Sequence, residues 1–235
     1  MPPGIAHPEF MHPGFSLFGA AHVVILCSVP ALAGATSFAH RRFPAAGRSI
    51  RLGFASALLA DTVAYYAWRI AHHCITFPDH MPFELCDASM ALSALSLLLL
   101  RPLLFDLAYY WALAGASMAL LTPNLLEPFP SFGSVQFFVS HGLTVAGVLY
   151  LMWSGQARPR PWSVARAFIG VNVFAVLVGA FDCLYKTNYF YLRFKPANPS
   201  LLDFLGPWPL YIVGTEVVTL ALFLLLYLPA RRGYA

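Results

Sequence analysis

The stretch from Leu85 to Leu121, LCDASMALSALSLLLLRPLLFDLAYYWALAGASMALL, decides how the rest of the chain is read. Asp87, Arg101 and Asp106 are its only charged residues. About 20 apolar residues are what a helix needs to cross the ~30 Å hydrocarbon core of a bilayer. Here two apolar runs, Leu85–Leu100 and Leu103–Leu121, are parted only by Arg101-Pro102. Proline cannot continue a helix interior, so the pair reads as two helices that turn over at that dipeptide. Working outward, five more runs of the same kind appear, approximately Phe15–Phe38, Ile50–Trp68, Val135–Trp153, Val164–Phe181 and Leu210–Leu228. Breakers separate them: Pro44 and Gly47, Pro78 and Pro82, Pro123, Pro128 and Pro130, then Pro159 and Pro161.

Composition agrees. Hydrophobic residues make up 59% of the 235 and charged residues 10%, where soluble domains carry about 25% charge. A water-soluble enzyme, a nucleic-acid binder and a disordered chain are all excluded, because none of them accommodates so much apolar surface. The expected fold is all-α: one polytopic membrane helix bundle over residues 1–235, with about seven spanning helices, or six if the third and fourth runs form one hairpin. Ala31-Leu32-Ala33 resembles a signal-peptidase box, but no Lys or Arg precedes the long first run, which is kept as a span.

Orientation follows from Lys and Arg. With the N-terminus outside, Arg41, Arg42, Arg48, Arg51, Arg101, Arg158, Arg160, Arg166, Arg231 and Arg232 fall inside, and Arg69, Lys186, Arg193 and Lys195 outside. N-outside, C-inside is therefore expected. Ionisable residues within a bilayer are costly and often mark a site. His22, Tyr65, Glu84, Cys86, Asp87, Gln136, His141, Asp182 and Glu216 fall in the outer half and Asp61 near the middle, while the inner halves read as nearly pure Leu, Ala, Val and Phe. That asymmetry suggests a polar chamber on the outer side, lined by His22, Tyr65 and Glu216. The plainer reading is that these three tie helices together by hydrogen bonds, and that Arg69, Lys186 and Arg193 are snorkelling anchors. Asp61 has no evident partner. His7, His12, His40, His72, His73 and His80 lie near ends and loops, and the spacing of the last three matches no standard metal set. No metal, nucleotide or haem is expected. Cys27 reads as packing, and Cys74 with Cys183 as a possible outer-side bridge. Cys86 lies between two carboxylates, which oppose thiolate formation, so activation needs a cation or a histidine. His141, at similar depth, would complete a nucleophile–base pair.

Several motifs carry a resemblance: Met81-Pro82-Phe83-Glu84-Leu85-Cys86-Asp87, Tyr109-Tyr110-Trp111-Ala112-Leu113-Ala114-Gly115, Leu121-Thr122-Pro123-Asn124-Leu125, Gln136-Phe137-Phe138-Val139-Ser140-His141-Gly142, Asn188-Tyr189 with Lys195-Pro196, and Leu201 to Pro209. Their order resembles the YwaF family of bacterial integral membrane proteins. That family is similar to the mammalian transmembrane protein 164 family, which moves acyl chains onto an ether phospholipid, and more distantly to membrane hydrolases that cleave lipid esters. The resemblance implies an intramembrane lipid acyltransferase or lipid-ester hydrolase in a bacterial inner membrane, with Cys86 as acyl-accepting nucleophile and His141 as its base. Asn124, Gln136 and Ser140 are then candidate oxyanion donors, with Asp87 and Glu84 as supporting groups. Arg69, Lys186, Arg193 and Lys195 are candidates for a lipid phosphate, and membrane phospholipids or lysophospholipids are the expected partners. One departure stands out: Glu84 occupies a position where the family pattern usually has histidine. Two alternatives remain open. One is a non-catalytic lipid-binding protein. The other is a small-solute transporter using Asp61, Arg69, His141 and Glu216, against which no inverted repeat is visible.

Overall fold

A computed structural model describes residues 15–125, 127–196 and 200–231. His7, His12 and Arg232 lie outside the described residues. Seven helices match the seven apolar runs. They are α1 (Ala20–Arg42), α2 (Gly47–Ala71), α3 (Leu85–Leu99), α4 (Pro102–Leu121), α5 (Phe132–Trp153), α6 (Ser163–Tyr185) and α7 (Leu210–Arg231). There is no strand among the described residues. Five helices, α1, α4, α5, α6 and α7, are long and apolar enough to cross a membrane. Helix α2 has the length, but Arg48, Arg51, Asp61 and Arg69 lower its hydropathy. Helix α3 is apolar but only 15 residues long, about 22 Å of rise against a ~30 Å core.

The boundaries have local causes. Leu100, at φ 50°, closes α3 in the left-handed conformation. Pro102 opens α4, where its missing N–H would have had no partner anyway. Ser131 caps α5, its Oγ accepting from the Ser134 N–H at 3.3 Å. Pro30 and Pro229 sit inside α1 and α7, which membrane helices tolerate better than soluble ones.

Helix α5 is the hub, packed against α1, α2, α3 and α4. A side chain at Gly142 would meet Val29 at 3.3 Å, and one at Gly147 would meet Leu97 at 3.1 Å. Small residues here let the backbones approach, the usual basis of helix association without a hydrophobic driving force. Helix α4 buries Phe105, Tyr109, Tyr110 and Trp111. Helix α6 packs on α4, tied by Tyr110–Ser163 (2.9 Å) and by the Trp111 Nε1–H donating to the Ala167 carbonyl (3.1 Å). Helix α7 leans on α6 and on the turn at Leu201–Leu205.

One end of the bundle is rich in arginine. Arg41 donates to the Trp153 carbonyl, Arg51 to that of Leu97 at 3.0 Å, and Arg160 and Arg166 both reach Asp106, at 2.7 and 3.0 Å. Asp106 is fully buried, so this end is less purely apolar than its sequence suggested. Ser93 and Ser96 on α3 are buried as well.

Candidate functional site

The opposite end holds the starts of α1, α3, α5 and α7 and the ends of α2, α4 and α6. His22 on α1 is fully buried. Its Nδ1 accepts the Phe18 N–H at 2.9 Å, so the proton is on Nε2, which donates to the Leu120 carbonyl at 2.7 Å. Both ring nitrogens are occupied, and His22 ties α1 to α4. Asp61 finds its partner in Gln136, whose Nε2 donates to Oδ2 at 2.9 Å. Glu216 accepts from Asn172 Nδ2 at 2.9 Å, joining α7 to α6. Asn172 drew no notice in the sequence because a lone amide in an apolar run carries no spacing signal. The Tyr65 hydroxyl accepts from Arg69 at 2.7 Å, and Arg69 also donates to the Cys74 carbonyl.

His141 differs from all of these. It is 6% exposed and lies ten residues into α5. Its Nδ1 lies 2.7 Å from the Phe137 carbonyl, with Ser140 Oγ at 3.2 Å. A carbonyl only accepts, so Nδ1 carries the proton and the neutral ring keeps its lone pair on Nε2. That Nε2 is buried and has no hydrogen-bond partner. Buried polar atoms are nearly always paired, which makes this one a feature to explain.

Helix α4 widens into a π turn at Ala112–Ala116, packed against both α3 and α5. Such bulges recur at functional sites. Leu85, the first residue of α3, packs where a side chain at Gly115 would sit, 3.4 Å away. Cys86 follows Leu85 and is half-buried. No hydrogen bond joins Cys86 to His141.

Beside Cys86, Asp87 Oδ2 accepts the Glu84 N–H at 3.1 Å, and Glu84 Oε2 accepts the Phe190 N–H at 3.4 Å. Partial burial pushes the Glu84 carboxyl up to about 7; the Phe190 N–H opposes this, and the Asp87 and Asp182 carboxylates add to it. Glu84 is nonetheless exposed to solvent, which screens much of this effect. Asp182, fully buried, accepts from Thr187 Oγ1 at 2.6 Å and from the Tyr189 N–H at 3.0 Å.

The remaining candidates are dispersed around this end. Ser140 donates to the Phe137 carbonyl at 3.0 Å. Asn124 lies exposed between α4 and α5, and Lys186 lies exposed at the end of α6. Arg193 donates to the Thr187 carbonyl at 3.0 Å. Lys195 pairs with Asp203 at 3.6 Å and lies over the Tyr211 ring. All four cysteines are free thiols, so Cys74 and Cys183 are not bridged. Among the described residues no three His, Cys, Asp or Glu side chains converge as a metal set.

A model of the TMEM164 family matches residues 12–227. An uncharacterized protein of Treponema pallidum (strain Nichols) is 25% identical over 218 residues, covering 92% of this chain and 84% of that protein. No solved structure matches the chain.

Proposed function

The chain belongs to the TMEM164 family, and from that premise we propose that it is a lipid acyltransferase or lipid-ester hydrolase working inside a bacterial inner membrane. Its resemblance to YwaF-type proteins and to an ether-phospholipid acyltransferase supports this reading. All seven helices cross, α3 and α2 sheltered by their neighbours, as one membrane domain with the arginine-rich end in the cytoplasm. The observation that carries the chemistry is His141, its Nδ1 held by a carbonyl and its Nε2 lone pair buried without a partner.

In the proposed cycle the Cys86 thiol gives its proton to His141 Nε2 and the sulfur attacks the ester carbonyl carbon. The carbonyl oxygen takes the negative charge, which needs a donor such as Asn124, Gln136 or Ser140. The C–O bond then breaks, and the leaving alcohol takes the proton from His141. The thioester left on Cys86 passes to a lysophospholipid hydroxyl or to water, whose proton returns through His141. Cys86 is in the first turn of α3 and His141 ten residues into α5, deeper than the similar depth expected from the sequence, so the cycle requires the two to be brought together around a bound ester. The packing of Leu85 on Gly115 brings the start of α3 to the π turn that lies beside α5.

The test compares membranes carrying equal amounts of wild type, Cys86→Ala and His141→Ala, with phospholipids, lysophospholipids and free fatty acids quantified. A lipid change made by the wild type and lost in both folded variants is expected. A wild-type change that survives Cys86→Ala removes the nucleophile. No wild-type change at all favours the second reading, a lipid-binding protein without chemistry, which the missing Cys86–His141 bond supports.

A further inference from the structure

Two cavities lie along the exposed side of α6. One, of about 400 Å³, is bounded by Trp162 just before α6, Phe168 and Ile169 of α6, and Leu220, Leu224 and Tyr227 of α7. The other, of about 370 Å³, shares Phe168 and Ile169 and continues to Leu177. Together they make one trough from Trp162 to Leu177, about 22 Å at 1.5 Å per residue, against ~15 Å for one leaflet's hydrocarbon. Its walls offer almost no hydrogen bonding. Of the wall residues able to hydrogen-bond, Trp162 and Tyr227 stand toward the arginine-rich end, and Asn172 is already committed to Glu216 and to the Phe168 carbonyl. An occupant of the trough is therefore apolar along its length.

The mouth is different. Trp162 is 79% exposed there, two residues after Arg160. Arg160 binds Asp106 through Nε and Nη2, at 3.0 and 2.7 Å, while Nη1 takes no part and the side chain stays 40% exposed. Arg166 shares the same Asp106, so two guanidiniums on one carboxylate leave a formal surplus of one positive charge. Arg160 thus stands two residues from Trp162, a wall of the first cavity, and brings an exposed guanidinium with a formal surplus of charge close to a long apolar surface.

We infer that this trough binds an anionic phospholipid of the leaflet at the arginine-rich end, one acyl chain along α6 and the phosphate at Arg160. The phosphate site at Arg160 lies at the end of the bundle away from Cys86, and the inference does not depend on the acyl chemistry proposed for Cys86 and His141. Basic pockets between helices at the cytoplasmic side are suited to anionic headgroups, each nearby Arg contributing modestly.

The experiment titrates delipidated protein with phosphatidylglycerol and, separately, with phosphatidylcholine of the same chains, counting bound lipid by native mass spectrometry. About a fivefold preference for phosphatidylglycerol is expected from one available guanidinium. Ala165→Trp and Ile169→Trp each set an indole into the trough without touching the Asp106 cluster, and both positions are exposed, so at least one folds with the wild-type Tm. In a folded variant the bound phosphatidylglycerol is lost. Equal binding of the two lipids by the wild type overturns the proposal, as does undiminished binding in a folded variant. Displacement of the lipid by sn-glycerol 3-phosphate also overturns it, since it would make the site one for the free anion.

Discussion

Two histidines that look alike in the sequence are made different by their second nitrogen. His22 and His141 each sit within an apolar run near the same end of the bundle. His22 spends both nitrogens on backbone groups of α4 and of its own N-terminal turn, so it is a tie. His141 spends one and leaves the other buried and open, so of the two it is the one with a nitrogen free to accept a proton. Glu84 belongs to the same scale. Its carboxyl is raised above the usual 4.5, toward about 7, by desolvation, an effect that water screens because Glu84 is exposed. A carboxyl raised on folding favours the folded state below its unfolded value, and that contribution is lost as pH rises through the folded value. The Tm in detergent is therefore expected to fall between about pH 4.5 and pH 7, and Glu84→Gln is expected to flatten that part of the curve. An unchanged profile in Glu84→Gln would assign the dependence to another group.

Among the elements, α4 carries most of what the hydropathy pattern hides. Ala112–Ala116 reads as an ordinary stretch of good helix formers, and only packing reveals the π turn against α3 and α5. Asp106 sits one turn into the same helix and is buried under Arg160 and Arg166. It fixes the start of α6 to α4 by also accepting the Arg160 N–H at 3.1 Å. Breaking a buried pair by removing one partner costs about 3–5 kcal/mol. Both arginines are about one-third exposed and regain water, so Asp106→Ala is expected at the low end, ~3 kcal/mol. The expected readout is a clear loss of Tm, with the Trp162 region the first to gain hydrogen exchange. A change within ±0.5 kcal/mol would mean the cluster adds nothing to the docking of α6.

At the scale of the whole molecule, the charge gradient between the two ends gives the topology its test. Arginines collect at the end where Arg41 meets the carbonyl of Trp153 and Arg51 that of Leu97. A C-terminal reporter fusion is expected to be active in its cytoplasmic form, and a reporter active only outside would invert the leaflet assigned to every site above. An all-helical chain and the approximate limits of its apolar helices, five of them long and apolar enough to cross a membrane, were legible in the sequence, because bilayer thickness sets segment length. The breaks were legible too, since Arg101-Pro102 and Pro128-Phe129-Pro130 act through local backbone sterics alone. Pairing was not legible. That Asp61 meets Gln136, that Glu216 meets Asn172, and that His22 closes while His141 stays open depend on how α1, α2, α6 and α7 are turned about their axes. Those rotations are set by side-chain contacts between residues distant along the chain, such as Gly147 with Leu97 and Gly142 with Val29, and no local pattern carries them.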